Sequence, residues 1–200
     1  MTQQGRGLSD SGPNQHQSGW PMEILLAAYE AGMLSEPFAA LVASHLQMQH
    51  ADWAPAASNA WPDPRRPGGE DPMAALMPLA LRSYVSRHLS APDWRRILPG
   101  IKQCRIARDT NGDASFLRCR PGATIPAHTH EGFEAVLVLQ GGFRDAQRHY
   151  ATGDIAIADR TVDHRLVADR DVECIIFIVL GGPVKLTGPF GRIIQRIFGI

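Results

Sequence analysis

Cysteine is scarce in this sequence of 200 residues. The three cysteines, Cys104, Cys119 and Cys174, are odd in number and widely spaced, which argues against a disulfide framework. Reduced thiols of this kind are typical of proteins in a reducing compartment, so we expect a cytoplasmic protein. Cys174 follows Glu173 at the start of an apolar run, and we expect it to be a small hydrophobic residue of the core.

The sequence also lacks a net charge, because 20 basic residues balance 20 acidic ones. A neutral chain has no strong overall field that would attract a nucleic acid or an anionic membrane surface. We therefore expect neither direct binding of nucleic acid nor association with a membrane. The composition leaves the oligomeric state open, including a homo-oligomer.

Long apolar runs are missing as well, since none approaches the roughly 20 residues that span a bilayer. The longest run, CIIFIVL from Cys174 to Leu180, has the length of a buried strand. The N-terminal stretch MTQQGRGLSDSGPNQHQSG has no apolar segment of the kind found in signal peptides. Its polar composition predicts a disordered tail over residues 1–19.

Helical periodicity dominates residues 20–92. The stretch MEILLAAYEAG predicts a first helix whose apolar face is formed by Ile24, Leu25, Ala28 and Tyr29. A second helix is expected after Ser35, a suitable N-cap residue. Its apolar face is formed by Phe38, Leu41, Val42, His45, Leu46 and Met48.

A proline-rich segment separates the second helix from a third. Residues 54–72 contain five prolines, which is typical of a linker. The third helix is predicted over residues 73–89, and Pro78 breaks or kinks it near its start.

The pattern of residues changes in the region 93–192. Short β-branched runs alternate there with Gly, Asp and Pro turns, which favours an antiparallel sandwich or barrel. The predicted strands are KQCRIA, ASFLRC, EAVLVLQ, DIAIA, HRLVA, ECIIFIVL and VKLTG. The fold class is therefore α+β, a small helical region followed by a β domain, with residues 193–200 as a C-terminal tail.

The stretch GATIPAHTHEGFEAVLVLQG, residues 122–141, contains a candidate metal site. His128 and His130 are two residues apart in an extended segment, so their side chains share one face. Glu134 begins the next strand after a short turn and can return to that face. The stretch fits G-x5-H-x-H-x3-E-x6-G at every fixed position, and in this it resembles the first signature of the cupin superfamily. The resemblance implies a double-stranded β-helix, or jelly roll.

Cupins add a third histidine eleven residues after a glycine of a later hairpin, and His164 follows Gly153 at that spacing. The rest of this second motif is altered. Asp159, Thr161 and Ala168 stand where proline, glycine and asparagine are usual. The resemblance implies one divalent metal ion held by His128, His130, Glu134 and His164. Zinc is favoured, while iron, manganese, nickel and copper also suit this ligand set.

A narrower resemblance covers about residues 20–192. The order of LLAAYEAGMLSEPFAALVASHL, LALRSYVSRHL, DWRRILPGIK and TGPFGR is similar to the ChrR family of anti-sigma factors, which join a helical domain to a cupin. The resemblance implies a transcriptional regulator with a metal-binding cupin as its sensor domain. Its partner would be an extracytoplasmic-function sigma factor, bound through residues 20–53.

The helical part departs from that family at its zinc motif, H-x3-C-x2-C. His45 matches the histidine, but Gln49 and Asp52 occupy the two cysteine positions, and Trp20 lies near the place of an upstream histidine. A site without thiolates does not hold structural zinc tightly. We therefore expect no zinc in the helical region, and we interpret His45 as a packed helix residue.

A second hypothesis is a small metal-dependent cupin enzyme, such as a dioxygenase, in which an open metal site acts on a substrate. The residues near the motifs that could assist such a reaction are Glu131, Arg144, Arg148 and Tyr150. The sequence assigns none of them a catalytic role. A third hypothesis is a metal-stabilised interaction domain that neither senses nor catalyses.

Overall fold

The structure is a computed structural model that describes residues 22–50, 72–110 and 112–188. The predicted tails 1–19 and 193–200 and almost all of the predicted linker lie outside the described residues. Within the described ranges, no helix has the length and apolar character needed to cross a membrane.

In the described part of the chain, four helices precede the strands: α1 (Met22–Glu30), α2 (Glu36–Met48), α3 (Pro72–Leu76) and α4 (Leu79–His88). Ser35 is the N-cap residue of α2, as predicted, although its side chain makes no capping hydrogen bond. Pro78 divides the predicted third helix into α3 and α4 because proline cannot donate a backbone hydrogen bond. The last residue of the predicted linker, Pro72, is the first residue of α3.

Eleven strands follow the helices within residues 94–186 of the described ranges. They are β1 (Trp94–Leu98), β2 (Ile101–Asp109), β3 (Gly112–Cys119), β4 (Thr124–His130), β5 (Glu134–Gln140), β6 (Gly142–Arg144), β7 (His149–Ala151), β8 (Ile155–Ala158), β9 (His164–Ala168), β10 (Cys174–Leu180) and β11 (Val184–Leu186). Among the runs predicted to be strands, none falls in a helix. The short strands β1, β6 and β7 were not predicted.

The strands form two antiparallel sheets. The six-stranded sheet has the order β1-β2-β3-β10-β5-β8, and the five-stranded sheet has the order β11-β4-β9-β6-β7. Apolar residues from both sheets, such as Val136, Ile176, Phe143 and Leu166, form one buried cluster between them. The predicted α+β class, with an antiparallel jelly roll after the helices, is confirmed.

The helices cover part of the outer face of the six-stranded sheet. A second buried cluster contains Leu41 and Tyr84 from the helices together with Phe116 and Phe177 from the sheet. The ring centroids of Tyr84 and Phe177 are 6.1 Å apart in an edge-on arrangement. Strand β10 thus contributes alternate side chains to both clusters, Ile176 inward and Phe177 toward the helices. The apolar face of α2 therefore packs against both α4 and the sheet.

Two residues of the predicted apolar faces lie outside this packing. Ile24 is 45% exposed and Leu46 is 38% exposed, while Leu25 and Leu41 are buried. The prediction that Ile24 and Leu46 belong to the packed faces was wrong, because the buried stripe of each helix is narrower than periodicity alone indicates.

Leu41→Ala should lower the free energy of unfolding by about 2–5 kcal/mol, because it leaves a cavity between α2 and the six-stranded sheet. Leu79→Ala is a matched control, since Leu79 is 68% exposed, and it should change the free energy by less than about 0.5 kcal/mol. Urea unfolding followed by circular dichroism measures both values. Equal effects of the two substitutions would contradict this packing.

Candidate metal centre

Strand β4 places two histidines at the site. His128 and His130 are both 3% exposed, and their side chains point to the same side because they are two residues apart. The Nδ1–H group of His128 donates to the carbonyl oxygen of Pro126 at 2.8 Å. That bond fixes the ring and leaves Nε2 as the nitrogen with a free lone pair.

Glu134 enters the site at the first position of β5 and is 2% exposed. The turn before it passes against the chain between β10 and β11. A Cβ atom on Gly132 would lie 2.6 Å from the carbonyl carbon of Gly181, so only glycine fits there. The amide of Gly181 donates to the carbonyl oxygen of Phe133 at 2.7 Å and holds the turn in place. These contacts direct the carboxylate inward.

His164 opens β9 and lies directly opposite His128 in the register of β4 and β9. The loop before it contains two of the altered positions of the second motif. The Oδ1 atom of Asp159 accepts hydrogen bonds from the amide of Thr161 at 2.8 Å and from its hydroxyl at 2.6 Å. Asp159 and Thr161 therefore build a side-chain-supported turn where the family's usual residues are proline and glycine.

The four side chains converge on one point. The Nε2 atom of His164 is 3.0 Å from Nε2 of His128 and 3.3 Å from Oε1 of Glu134. The Nε2 atom of His130 is 3.1 Å from Oε2 of Glu134, and Nε2 of His128 is 4.0 Å from the same oxygen. One ligand atom from each residue can be chosen so that all lie within 4.8 Å of one another. The structure thus brings together all four predicted residues.

These distances suit a metal ion. Four ligands at about 2.0–2.2 Å from a tetrahedral zinc ion lie roughly 3.3–3.6 Å apart, close to the observed separations. Neither ring nitrogen of buried His130 has a hydrogen-bond partner of good geometry. A buried nitrogen without a partner is costly, and coordination of an ion would satisfy it. The residues present therefore fit a divalent metal ion.

Burial and charge act in opposite directions on these groups. Burial disfavours the ionised form of Glu134, yet His130 and His164 outweigh it and hold the pKa of this carboxyl well below its usual range. Burial lowers the pKa of His128 despite the nearby carboxylate. Burial also opposes protonation of His130, but the adjacent Glu134 raises its pKa. An anionic Glu134 and a neutral His128 are the forms that bind a metal.

Comparison with known proteins identifies the family. The family model described as the ChrR cupin-like domain matches residues 83–184. The anti-sigma-E factor ChrR of Cereibacter sphaeroides is 30% identical over 205 residues, which cover 89% of this chain and 96% of that protein. The chain belongs to the ChrR family.

Solved structures extend this comparison. The structure of Rhodobacter sphaeroides SigE in complex with the anti-sigma factor ChrR matches with 32% identity and a TM-score of 0.59, covering 79% of this chain and 96% of that one. An acetylacetone dioxygenase from Acinetobacter johnsonii is 15% identical, with a TM-score of 0.42 over 46% of this chain and 66% of that one. Likeness at the latter level says nothing about activity.

The residues considered as aids to an enzymatic reaction do not surround the four ligands. Glu131 forms an ion pair with Lys185 at the surface. Tyr150 stacks on Phe143, and Phe143 pairs with Ala168 of β9. Ala168 lies four residues from His164 along that strand, a distance of about 13 Å. The guanidinium of Arg148 lies over the Tyr150 ring, and Arg144 lies 3.6 Å from the Asp169 carboxylate.

The structure gives His45 a contact that sequence reasoning missed. Its Nδ1–H group donates to the carbonyl oxygen of Gly153 at 2.7 Å, and the side-chain amide of Gln49 donates to the same oxygen at 3.4 Å. Two positions of the family's zinc motif thus connect α2 to the turn between β7 and β8. Asp52, the third position, lies outside the described residues. Only the spacing of His45 and Gln49, one helical turn apart, hinted at a shared partner.

The double substitution His128→Ala/His130→Ala should abolish metal binding, because it removes two imidazoles from the four-residue set. His149→Ala is a suitable control, since His149 lies on β7 with its side chain 48% exposed. We expect about one divalent ion per chain in the parent protein and in the control, and none in the double variant. Elemental analysis of the purified proteins measures this, and full metal content in the double variant would contradict the assignment.

Proposed function

We propose that this protein is an anti-sigma factor, a transcriptional regulator that binds an extracytoplasmic-function sigma factor and uses its cupin as a sensor domain. The observation that carries the proposal is the match to an anti-sigma factor over 89% of this chain, which includes the helical region as well as the cupin. Because a sigma factor works with RNA polymerase, this role places the protein in the cytoplasm.

We assign a zinc ion to the cupin, held by His128, His130, Glu134 and His164. Three imidazoles and one carboxylate fill the four positions that zinc prefers, whereas iron, manganese and nickel favour further ligands. When bound, the ion supplies a fixed positive charge that ties β4, β5 and β9 together. The most exposed of the four residues, His164, is only 9% exposed. A closed and buried ligand set supports a structural or sensing role over substrate turnover.

The outward surface of the helices is the proposed site of sigma factor binding. Among the described residues, the large hydrophobic side chains that stand exposed are Ile24, Met33, Leu46 and Leu79, and all lie in the helical region. The amide of Ala80, next to Leu79, donates to the side chain of Gln47, next to Leu46, at 3.0 Å. Leu46 and Leu79 therefore flank one contact between α2 and α4. Exposed apolar groups concentrated in one region are typical of an interaction surface.

Helix α2 connects that surface to the metal centre. On its buried side, the ring centroid of Phe38 is 5.6 Å from that of Phe133, the residue just before Glu134. Farther along α2, His45 donates a hydrogen bond to the carbonyl oxygen of Gly153. The amide of Gly153 in turn donates to the carbonyl oxygen of Val138 in β5 at 2.8 Å. A change at the metal centre can therefore reach α2 through β5 at two points. We propose that sensing alters sigma factor binding through this path.

A tagged chain purified from its own cells should retain a sigma factor at about one copy per chain. Leu46→Glu should release that sigma factor, because it places a charge on the apolar surface of α2. Leu46→Ala, which is smaller but apolar, should reduce binding less. Mass spectrometry identifies the partner and calorimetry with the purified sigma factor measures affinity.

Deletion of residues 20–53 should also abolish the complex. Circular dichroism of each variant verifies folding. Unchanged affinity of a folded Leu46→Glu variant would place the interface elsewhere, and absence of any sigma factor from the purified chain would contradict the proposed function.

Removal of the metal ion by a chelator should change the affinity for the sigma factor by about fivefold or more, the usual size of coupling between two sites. His45→Ala should reduce this response, because it removes the hydrogen bond to Gly153. His50→Ala is the control, since His50 is exposed just beyond α2. Calorimetric titrations of each protein with and without metal measure the coupling, and an identical response in both variants would exclude the path through His45.

A further inference from the structure

A small depression on the outer face of the six-stranded sheet is lined mainly by basic residues. Its volume is about 80 Å³, and it is lined by Arg96, Gly100, Ile101, Lys102, Arg118, Arg120 and Glu173. Four of these side chains are cationic and one is a carboxylate, although the whole chain has no net charge. The depression therefore carries a local excess of positive charge.

Three of the cations stand in a row across neighbouring strands. Lys102 of β2 is directly opposite Arg96 of β1 and directly opposite Arg118 of β3. Directly paired residues of an antiparallel sheet project to the same side, and like charges in such pairs destabilise the sheet. Ile101, adjacent to Lys102, is buried on the inner side, so the row lies on the outer face.

One carboxylate offsets only part of this charge. Glu173 accepts a hydrogen bond from Nε of Arg118 at 2.6 Å, and both side chains are about one-fifth exposed. Arg96, Lys102 and Arg120 are exposed at the rim. Within the ranges that the structure describes, none of these three side chains has an ion-pair partner. The row therefore remains short of negative charge after the Arg118–Glu173 pair is counted.

We propose that this depression is a binding site for a small oxyanion, namely a phosphate group. Guanidinium groups present paired N–H donors that match phosphate oxygens, and an ammonium group adds a point charge. A depression of about 80 Å³ has room for the few heavy atoms of one phosphate group. The exposed rim leaves room for the remainder of a phosphate monoester.

The proposed phosphate site is separate from the metal centre. Glu173 directly precedes β10, and the opposite end of that strand, Leu180, pairs with Glu134. Six residues of extended chain separate Cys174 from Leu180, or about 20 Å. The two sites also lie on opposite faces of the sheet. Effects of phosphate on one site can therefore be distinguished from effects on the other.

The test is a titration of the metal-loaded, full-length, ¹⁵N-labelled protein with inorganic phosphate at constant ionic strength. The amide signals of Gly100, Ile101, Lys102 and Arg118 should shift in a saturable manner. A parallel titration with a nucleoside monophosphate shows whether a free phosphate or a monoester binds more tightly, and either one supports the site.

Lys102→Gln and Arg120→Gln should each weaken phosphate binding about tenfold, the usual worth of one charge-assisted hydrogen bond. Arg165→Gln removes the same charge from an exposed position on β9 and should leave the affinity unchanged. Glu173→Gln should strengthen binding, because it removes the competing carboxylate.

Three results would overturn the proposal. The first is the absence of saturable shifts at 10 mM phosphate, about ten times a dissociation constant of about 1 mM. The second is equal phosphate affinity in the Lys102→Gln and Arg165→Gln variants. The third is a set of shifts confined to residues around His128 and His164. The last result would place the phosphate at the metal ion.

Discussion

The burial of one carboxylate, Glu134, constrains the rest of the structure. A charge with 2% exposure is stable only if opposite charges and hydrogen-bond donors surround it. Three imidazoles supply this environment, two from β4 and one from β9, and the set could hold a metal ion that would complete it. The strands that meet at this point belong to both sheets, so the electrostatic requirement of one side chain fixes how the two sheets face each other.

The same residue lies close to the helices. Its neighbour Phe133 packs on Phe38 of α2, and its strand, β5, lies under the helical layer. In this chain, His45 and Gln49 bind a carbonyl of the cupin at positions where the resembled family binds zinc. These two contacts tie the C-terminal end of α2 directly to the turn between β7 and β8.

Much of this arrangement follows from local sequence. Histidines two residues apart on a strand and a glycine turn before Glu134 are local features, so the shared face of His128, His130 and Glu134 was predictable from spacing alone. The jelly roll and the place of His164 were predicted from the resemblance to the cupin signatures. The exposure of Ile24 and Leu46 was not predictable, because it depends on how much of each helix is packed in the fold. The partner of His45 was equally hidden, since Gly153 is 108 residues away. The row of Arg96, Lys102 and Arg118 was not predictable either, because it depends on the register of three strands.

The metal centre and helix α2 are proposed to form one coupled unit. Hydrogen exchange of backbone amides, measured with and without bound metal, tests this coupling. Loss of the ion should accelerate exchange in β4, β5 and β9 and also in α2, around Phe38 and His45, which carry the contacts to Phe133 and Gly153. If exchange becomes faster only in the strands that bear the ligands, and α2 is protected equally in both states, then α2 is not coupled to the metal centre.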